Sequence, residues 1–317
     1  MAKSFKIPFT KFHGLRNDWL IVGGEGLPKS LSKFARAILD RHTGIGADGL
    51  LVIMPARNSK HDARLRFFNV DGSEAEMSGN GIRCAAAFLA ELSPPKGTFL
   101  IETAAGVKSL EKVEEAKGKW LFRVGMGVPV LEPAKIPFKA GDFPAPVKGF
   151  ALRTKQGVVH AAVTSMGNPH CSIFVKDFVA PVLQEAGPSP AAPSAGDSPQ
   201  NETLRYPFDW EALGREIEVN PLFPNRTNVE FVKVISRKEI SARFWERGVG
   251  HTMSSGTGSC AATVASILND LTGRQVRVQT QAGSLDVVWP EIGGVILTGP
   301  VERIAEGTYN YQARYES

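Results

Sequence analysis

One short pattern occurs twice in the chain and constrains the fold more than any other feature. The segments EAEMSGNGIRCAAAFLAEL, residues 74 to 92, and HTMSSGTGSCAATVASIL, residues 251 to 268, both read Ser-Gly-x-Gly, a short spacer and Cys-Ala-Ala before an apolar helical run. The serines that open the two copies, Ser78 and Ser255, are 255 − 78 = 177 positions apart. A turn into a helix that is repeated at this distance indicates two related halves.

Asparagines extend the repeat on its N-terminal side. Asn17 lies in GLRNDWLIV and Asn69 in FFNVDG, while Asn168 lies in SMGNPHCSIFV and Asn228 in RTNVEFV. Asn before a strand, Asn-Val and Ser-Gly-x-Gly thus occur in the same order twice, which pairs Asn69 with Asn228. We expect a duplicated fold with a pseudo-two-fold axis and a cleft between the halves. Coincidence is the alternative, because Asn and Gly are common at turns.

Short runs rich in Val, Ile and Phe predict more strands than helices. The strand candidates are bounded by Gly, Pro and Asn, as in WLIVGG, LLVIMP, RLRFFNV, GVVHAAVTS, CSIFV and NVEFVKVIS. Helical periodicity is clear only in LSKFARAILDRH, GIRCAAAFLAEL and SCAATVASILND. The chain therefore reads as sheet segments with single helices inserted among them.

Composition narrows the class of protein. The 317 residues suit two domains, and 43% hydrophobic residues suffice for two cores. The net charge of +5 comes from scattered residues with no basic run, so nucleic-acid binding is not expected. The chain has no apolar stretch of membrane-spanning length and its start lacks the apolar core of a signal peptide. Three cysteines without CxxC spacing argue against disulfides and structural zinc, so we expect a cytoplasmic protein.

The repeated motif has the chemistry of an anion site. Glycines allow tight turns and close approach of a ligand, and the first helix turn presents unpaired N–H groups with a partial positive charge. One such site would be lined by Gly79, Asn80 and Gly81, and the other by Gly256, Thr257 and Gly258. Taken alone, each motif could be only a helix cap. Two facing copies indicate two groups that address one substrate atom from opposite faces, the geometry of stereoinversion by removing and returning a proton.

The motifs GLRNDWL, RHTGIGADGLL, FFNVDGSEAEMSGNGIRC, SMGNPHCSIFV, NVEFV and WERGVGHTMSSGTGSCAA resemble those of the diaminopimelate epimerases, in order and along nearly the whole chain. The resemblance implies an α+β fold of two pseudo-symmetric domains, each a barrel-like, mostly antiparallel sheet around a central helix. We expect the first domain at 1–135, completed by 286–317, and the second at 136–285. The Pro/Ala/Ser-rich stretch 180–202 reads as a flexible surface insertion.

The resemblance also implies an activity and a set of site residues. The family interconverts LL- and meso-2,6-diaminopimelate without a cofactor or metal, for lysine and cell-wall synthesis, and its members usually form homodimers. By position, the substrate's amino and carboxylate groups would be held by Asn17, Asn69, Asn168, Asn228, Gly79, Asn80, Gly256, Thr257, Glu246 and Arg247. The catalytic positions would be Ser78, Ser255, His170 and Glu246. Without the family, the asparagines read as turn residues, His170 as a loop histidine and Glu246–Arg247 as a surface ion pair.

The chain departs from the family where proton transfer takes place. The family has cysteine at the positions of Ser78 and Ser255, and a serine hydroxyl does not ionise usefully unless a neighbouring base takes its proton. It also usually has Gly at Arg16 and Glu at His251, and His251 or His170 could be such a base for Ser255. Deliberate replacement, a diverged racemase or lyase acting on another amino acid, and a non-catalytic amino-acid-binding protein all stay open. Cys84 and Cys260 read as packing residues.

Overall fold

The computed structural model describes residues 3–93, 96–139, 141–178 and 208–313. This part of the chain forms two compact units, one of Met1–Gly125 with Ile296–Ser317 and one of Met126–Val295. The domains predicted at 1–135 with 286–317 and at 136–285 stay predictions, and the insertion predicted at 180–202 lies outside the described residues. No helix of the described chain combines the length and apolar character that crossing a membrane requires.

The described residues form 17 strands and four α-helices, with a 3₁₀ turn at Pro133–Lys135. In chain order they are β1 Lys3–Gly14, β2 Asn17–Gly23, α1 Leu31–Leu39, β3 Gly49–Met54, β4 Ala63–Asn69, β5 Glu74–Ala75, α2 Gly79–Leu92, β6 Thr98–Thr103, β7 Gly106–Ala116, β8 Lys119–Gly127, β9 Val147–Thr154, β10 Gly157–Ser165, β11 Pro169–Phe174, α3 Trp210–Glu218, β12 Asn228–Ser236, β13 Glu239–Glu246, β14 Gly250–Thr252, α4 Gly256–Leu268, β15 Gln275–Thr280, β16 Gly283–Val288 and β17 Val295–Ala313.

In the first unit, eight strands pair in a closed ring. The order is β1, β2, β3, β4, β6, β7, β8 and β17, and β17 pairs with β1 again. The ring is mostly antiparallel, with parallel pairs at β2–β3 and β4–β6. Helix α2 packs against β1, β2 and β3, and ten of its 14 residues are buried. A helix buried on most of its faces is a core helix, and its alanines let the surrounding strands approach closely.

The second unit is built in the same way around α4. Strands β9, β10, β11, β12, β13, β15 and β16 pair in that order, again mostly antiparallel, with parallel pairs at β11–β12 and β13–β15. Ten of the 13 residues of α4 are buried among these strands. Its buried hydroxyls, such as that of Thr263, donate to carbonyls four residues earlier, so they carry no unmet hydrogen bond into the core. The α+β fold class with a barrel-like sheet around a central helix is confirmed.

The two units repeat one order of elements. The series β2, α1, β3, β4, β5, α2, β6, β7 corresponds to β11, α3, β12, β13, β14, α4, β15, β16, with parallel and antiparallel pairs at the same places. Ser78 and Ser255 directly precede corresponding helices, and Asn17 and Asn168 lie where corresponding strands begin. The duplication predicted from the repeated motif therefore extends through most of each unit.

One predicted match within the repeat is wrong. Asn69 ends β4, whereas Asn228 begins β12, so these two asparagines occupy opposite ends of strands that do not correspond. The counterpart of Asn69 is Glu246, which ends β13. Both residues also lie nine positions before the serine, since 78 − 69 = 255 − 246 = 9. The dipeptide Asn-Val recurs in the sequence, but one copy lies at the end of β4 and the other at the start of β12, which is not the counterpart of β4.

Candidate active site

Each helix N-terminus of the repeated motif is capped by its serine. The Oγ atoms of Ser78 and Ser255 accept hydrogen bonds from the backbone N–H groups of Gly81 and Gly258, both at 3.1 Å. Both serines have extended backbone angles, as N-cap residues do. The first helical hydrogen bonds join Ile82 N to Ser78 O and Ser259 N to Ser255 O. The N–H groups of the two residues after each serine therefore precede the helical ladder and can meet an anion.

The second glycine of each motif is required by packing. A Cβ on Gly81 would lie 3.0 Å from Cε2 of Trp19, and one on Gly258 would lie 2.8 Å from Cδ1 of Phe244. Neither glycine has a positive φ, so the explanation by a tight turn, given from the sequence, does not hold for these two positions. An aromatic ring lies directly against each helix start, and only a residue without a side chain leaves room for it.

We call Asn17, Asn69 and residues 78–81 the first half-site. The side chain of Asn17 is held at both ends, because its Nδ2 donates to Oδ2 of Asp48 at 3.0 Å and its Oδ1 accepts from Nε1 of Trp19 at 2.6 Å. Trp19 also lies against Gly81, so one indole ring connects Asn17 to the start of α2. Among the described contacts, Asn69 is bonded to Ser73, through its Nδ2 at 2.9 Å, and not to α2.

A buried guanidinium lies beneath the first half-site. Arg83 is fully buried and donates to the Gly79 carbonyl at 2.9 Å and to Oδ1 of Asn80 at 2.7 Å. A cation near the N-terminus of a helix is unfavourable for the helix dipole and favourable for a bound anion. Arg83 thus fixes the Asn80 carboxamide and adds positive charge where a substrate carboxylate is expected.

We call Asn168, His170, Asn228, Glu246, Arg247 and residues 255–258 the second half-site. His170 is fully buried, with Nδ1 2.6 Å from Oε1 of Glu230 and Nε2 2.9 Å from Oδ1 of Asn168. The other carboxylate oxygen of Glu230, Oε2, accepts from the Ser172 hydroxyl at 3.0 Å. His170 is therefore part of a buried network, which overturns its alternative interpretation as a loop histidine.

Asn228 connects three backbone segments of the second half-site. Its Nδ2 donates to the Pro169 carbonyl at 2.9 Å, and its Oδ1 accepts from the backbone N–H of Arg247 at 3.0 Å. The Arg247 side chain is exposed and donates to the Asn225 carbonyl at 3.1 Å. Asn228 thus fixes the turn after β13, and the direct substrate contacts expected of Asn228 and Arg247 stay predictions.

Glu246 is the residue of this half-site whose ionisation the structure perturbs most directly. Burial raises the pKa of Glu246 above its ordinary value, and the nearby Ser255 hydroxyl and the charge of His170 offset this only in part. The nearby Glu230 carboxylate raises this pKa further. A carboxylate near a serine hydroxyl is a group that can take the proton of that hydroxyl. At the corresponding position the first half-site has Asn69, which cannot ionise.

His251 does not supply a base to Ser255. Its Nδ1 lies 3.2 Å from Oε1 of Glu211, its Nε2 lies 2.8 Å from Oε1 of Gln281, and its ring packs edge-on against Trp210. The contacts of His251 are thus with Glu211, Gln281 and Trp210, and Glu246 is an ionisable group near Ser255. Four residues of separation suggested closeness, but β14 directs His251 toward α3 and the turn after β15.

Arg16 lies in the turn between β1 and β2, directly before Asn17. Leu15 and Arg16 have φ values of 52° and 65°. Two consecutive left-handed residues in a two-residue hairpin are typical of a type I′ turn, which favours Gly and Asn. Arg16 therefore holds a position where a glycine would be less strained, and its exposed side chain leaves the Asn17 carboxamide in place.

The cysteines of the chain cannot replace the missing thiols. Cys84, Cys171 and Cys260 form no disulfide within the described residues and are all buried, as packing residues are. Burial raises the pKa of Cys84 to about 12 and raises that of Cys171 as well. Within the described ranges, no group of three or more His, Cys, Asp or Glu side chains is arranged to hold a metal ion.

Sequence reasoning missed the residues that support the half-sites from behind, namely Trp19, Asp48, Arg83, Ser172 and Glu230. One signal for them was present. Asn17-x-Trp19 and Asn168-x-His170 have the same spacing, and in both a ring nitrogen lies against the asparagine Oδ1 two residues earlier. Arg83 and Glu230 gave no such signal, because their partners are brought close only by folding.

Comparison with known proteins gives a consistent family. Residues 9–132 and 162–304 match the family model described as diaminopimelate epimerase. The diaminopimelate epimerase of Pelotomaculum thermopropionicum is 42% identical over 308 residues, covering 96% of this chain and 99% of that protein. That of Halothermothrix orenii is 40% identical over 304 residues, covering 95% of this chain and 97% of that protein.

Solved structures share the fold at low sequence identity. A hydroxyproline epimerase from Agrobacterium vitis, crystallised with trans-4-hydroxy-L-proline, matches with a TM-score of 0.66 at 14% identity, covering 98% of this chain and 94% of that one. A PhzF-family phenazine biosynthesis protein from Bacillus anthracis matches with a TM-score of 0.62 at 16% identity, covering 96% of this chain and 99% of that one. These likenesses concern the fold alone.

Proposed function

This chain belongs to the diaminopimelate epimerase family, and on that premise we propose that it epimerises LL-2,6-diaminopimelate to the meso form by removing and returning the α-proton, without a cofactor. The proposal includes a role in lysine and peptidoglycan precursor synthesis in the cytoplasm, and a homodimer. The observation that carries it is the pair of serine-capped helix N-termini at corresponding positions of the two units, with Glu246 near Ser255 as the base that a serine needs to take part in proton transfer.

The proposed roles follow from the two half-sites. Glu246, once ionised, accepts the Ser255 proton while the Ser255 oxygen takes the α-proton of the substrate. The Ser78 hydroxyl returns a proton, and the α2 N-terminus with Arg83 favours the negative charge that Ser78 then carries. Water reprotonates Ser78 and takes the proton of Glu246, which restores the enzyme. We propose that the remaining polar groups hold the substrate's amino and carboxylate groups, as Asn and Arg chemistry allows: Asn17, Asn69, Asn80, Asn168, Asn228, Arg247 and the backbone of Gly79, Gly256 and Thr257.

A second candidate function is amino-acid binding without turnover. It is favoured by Asn69, because the first half-site has no carboxylate at the position where the second has Glu246. A serine without a base is a weak acid and a weaker proton acceptor than the thiolate of the family. A diverged racemase or lyase for another amino acid would share the half-sites and differ in substrate.

The test is α-proton exchange of LL-diaminopimelate in deuterated water, measured by NMR. The chain is compared with its Ser78→Cys/Ser255→Cys variant and with a Ser78→Ala/Ser255→Ala control. Exchange by the chain itself, lost in the alanine control, supports epimerisation by the serines. Exchange by the cysteine variant only, with calorimetric binding by all three, supports the binding protein. A folded cysteine variant that neither exchanges nor binds the substrate contradicts the substrate assignment.

A further inference from the structure

The buried network around His170 has an oxygen at each ring nitrogen. Nδ1 faces the carboxylate of Glu230 at 2.6 Å and Nε2 faces Oδ1 of Asn168 at 2.9 Å, and both ionisable side chains are about fully buried. A carboxylate and an amide oxygen accept hydrogen bonds and do not donate them. If Glu230 is ionised and the amide oxygen of Asn168 faces the ring, both ring nitrogens of His170 must carry a hydrogen. An imidazole with two N–H groups is a cation.

The orientation of the Asn168 carboxamide has an internal standard in the first unit. Trp19 pairs with Gly49 and His170 pairs with Asn228, so the two rings occupy the same register position in the corresponding parallel strand pairs. An indole N–H can only donate, and it meets Oδ1 of Asn17 at 2.6 Å. The same Asn-x-ring arrangement in the second unit assigns the amide oxygen of Asn168, and not its nitrogen, to the ring.

We propose that His170 is an imidazolium held in that state by Glu230, and that it serves the second half-site as a fixed positive charge and not as a proton acceptor. Glu230 is then a positioning residue, since it fixes both ring orientation and charge through its neighbour. Ser172 satisfies the second oxygen of Glu230, so the buried carboxylate has a partner at each oxygen.

Among the groups around His170, Glu246 is the one whose ionisation this charge affects. Glu230 comes from β12, Asn168 and Ser172 from the segment of His170 itself, and the Glu246 carboxylate of β13 lies within electrostatic reach. The positive charge opposes the rise in the pKa of Glu246 that burial causes. It therefore helps Glu246 to ionise and to accept a proton from Ser255. This role in proton transfer rests on the proposed function, whereas the charge state of His170 does not.

The charge state can be measured directly by long-range ¹H–¹⁵N correlation NMR of the histidine rings. The chain has six histidines, and a His170→Gln variant identifies the cross-peaks of His170 by their loss. We expect both ring nitrogens of His170 to show the protonated signature from pH 6 to pH 8.5. A single protonated nitrogen at pH 7.5, the signature of a neutral ring, overturns the proposal.

Two variants separate charge from packing. Glu230→Gln keeps the shape of the side chain but removes its charge. We then expect at most about a tenth of His170 to be cationic at pH 7.5, which is the fraction for an ordinary histidine of pKa about 6.5. Ser172→Ala keeps the carboxylate, so the cation should persist. A Glu230→Gln spectrum that still shows two protonated nitrogens contradicts the role of Glu230. If Glu230→Gln does not fold, the wild-type and Ser172→Ala spectra still decide the charge state.

A failure of the proposed function is distinguishable from a failure of this inference. If no variant exchanges the α-proton of diaminopimelate but His170 is doubly protonated, the charge state stands and the epimerase proposal fails. If exchange is observed and His170 is neutral, the epimerase proposal stands and His170 is free to act as a base. In the cysteine double variant, Glu230→Gln should move the pH at which exchange rises to a higher value, because Glu246 loses the opposing charge of His170, which acts on its pKa more strongly than the charge of Glu230 does.

Discussion

Removing the hydroxyl of Ser255 should cost more stability than removing that of Ser78, although both cap a helix with the same geometry. Each Oγ accepts one backbone hydrogen bond at 3.1 Å, and loss of an N-cap serine costs about 1 kcal/mol. The Ser255 hydroxyl is also near the half-buried Glu246, and an acceptor taken out of water without its donor costs about 1–3 kcal/mol more. Ser255→Ala should therefore cost about 2–4 kcal/mol and Ser78→Ala about 1 kcal/mol.

The excess cost of Ser255→Ala should depend on pH. The Ser255 hydroxyl lowers the pKa of Glu246, so the loss of this hydroxyl raises that pKa further. A protonated Glu246 needs no donor, whereas an ionised one does. The difference between the two alanine variants should thus be small at pH 4.5 and larger at pH 8.

Urea unfolding followed by tryptophan fluorescence measures these differences, and glycine variants serve as matched controls. Glycine at an N-cap costs only a few tenths of a kcal/mol, so Ser78→Gly should be nearly neutral while Ser255→Gly isolates the effect of the lost hydroxyl on Glu246. Equal costs for Ser255→Ala and Ser78→Ala at pH 8 would refute this reasoning. An excess that does not change between the two pH values would refute the part assigned to Glu246.

Three further predictions concern ionisation, packing and thiol reactivity. Glu246→Gln should stabilise the protein at pH 8 and change its stability little at pH 4.5. The pKa of Glu246 is higher in the folded protein than in the unfolded chain, so ionisation of Glu246 at high pH destabilises the fold, and Gln removes this cost; urea midpoints that show the reverse order contradict this. Gly81→Ala and Gly258→Ala should each cost about 1–3 kcal/mol through contact with Trp19 and Phe244, whereas Gly23→Ala and Gly125→Ala, whose added Cβ meets nothing within 4 Å, should cost less in the same unfolding assay. A thiol reagent at pH 8 should label none of the three cysteines of the native protein and all three after unfolding, while Ser78→Cys should gain one native reactive thiol; rapid native labelling of Cys84 would contradict its assignment as a packing residue.

The elements that the sequence predicted well are those whose signals are local. A serine cap, two glycines and an alanine-rich helix all lie within a dozen residues, so both copies of the motif were recognised and both formed corresponding core helices. The reason for the second glycine was not recognised, because the ring against it is brought there by folding. The strands followed from runs of branched and aromatic residues for the same reason.

The failures share a different cause, because they concern which strands meet and in which direction. The match of Asn69 to Asn228 relied on a repeated dipeptide, which carries no information on strand order, and the structure pairs Asn69 with Glu246 instead. His251 is close to Ser255 along the chain, but its bonds are to Glu211 and Gln281. Arg83 and Glu230 were overlooked because a buried charge is recognised only from the groups around it.

Asn69 lies in the first unit at the position that Glu246 occupies in the second, so the two halves of this duplicated protein are chemically unequal. A catalyst cannot move the equilibrium between two stereoisomers, so this inequality would leave the final ratio of LL- to meso-diaminopimelate untouched. Under the proposed function it would instead be visible in the isotope label. The stereoisomer whose α-hydrogen is offered to Ser255 would lose that hydrogen to solvent faster than its epimer, and the early deuterium content of the two isomers would record which half of the molecule acts as the base.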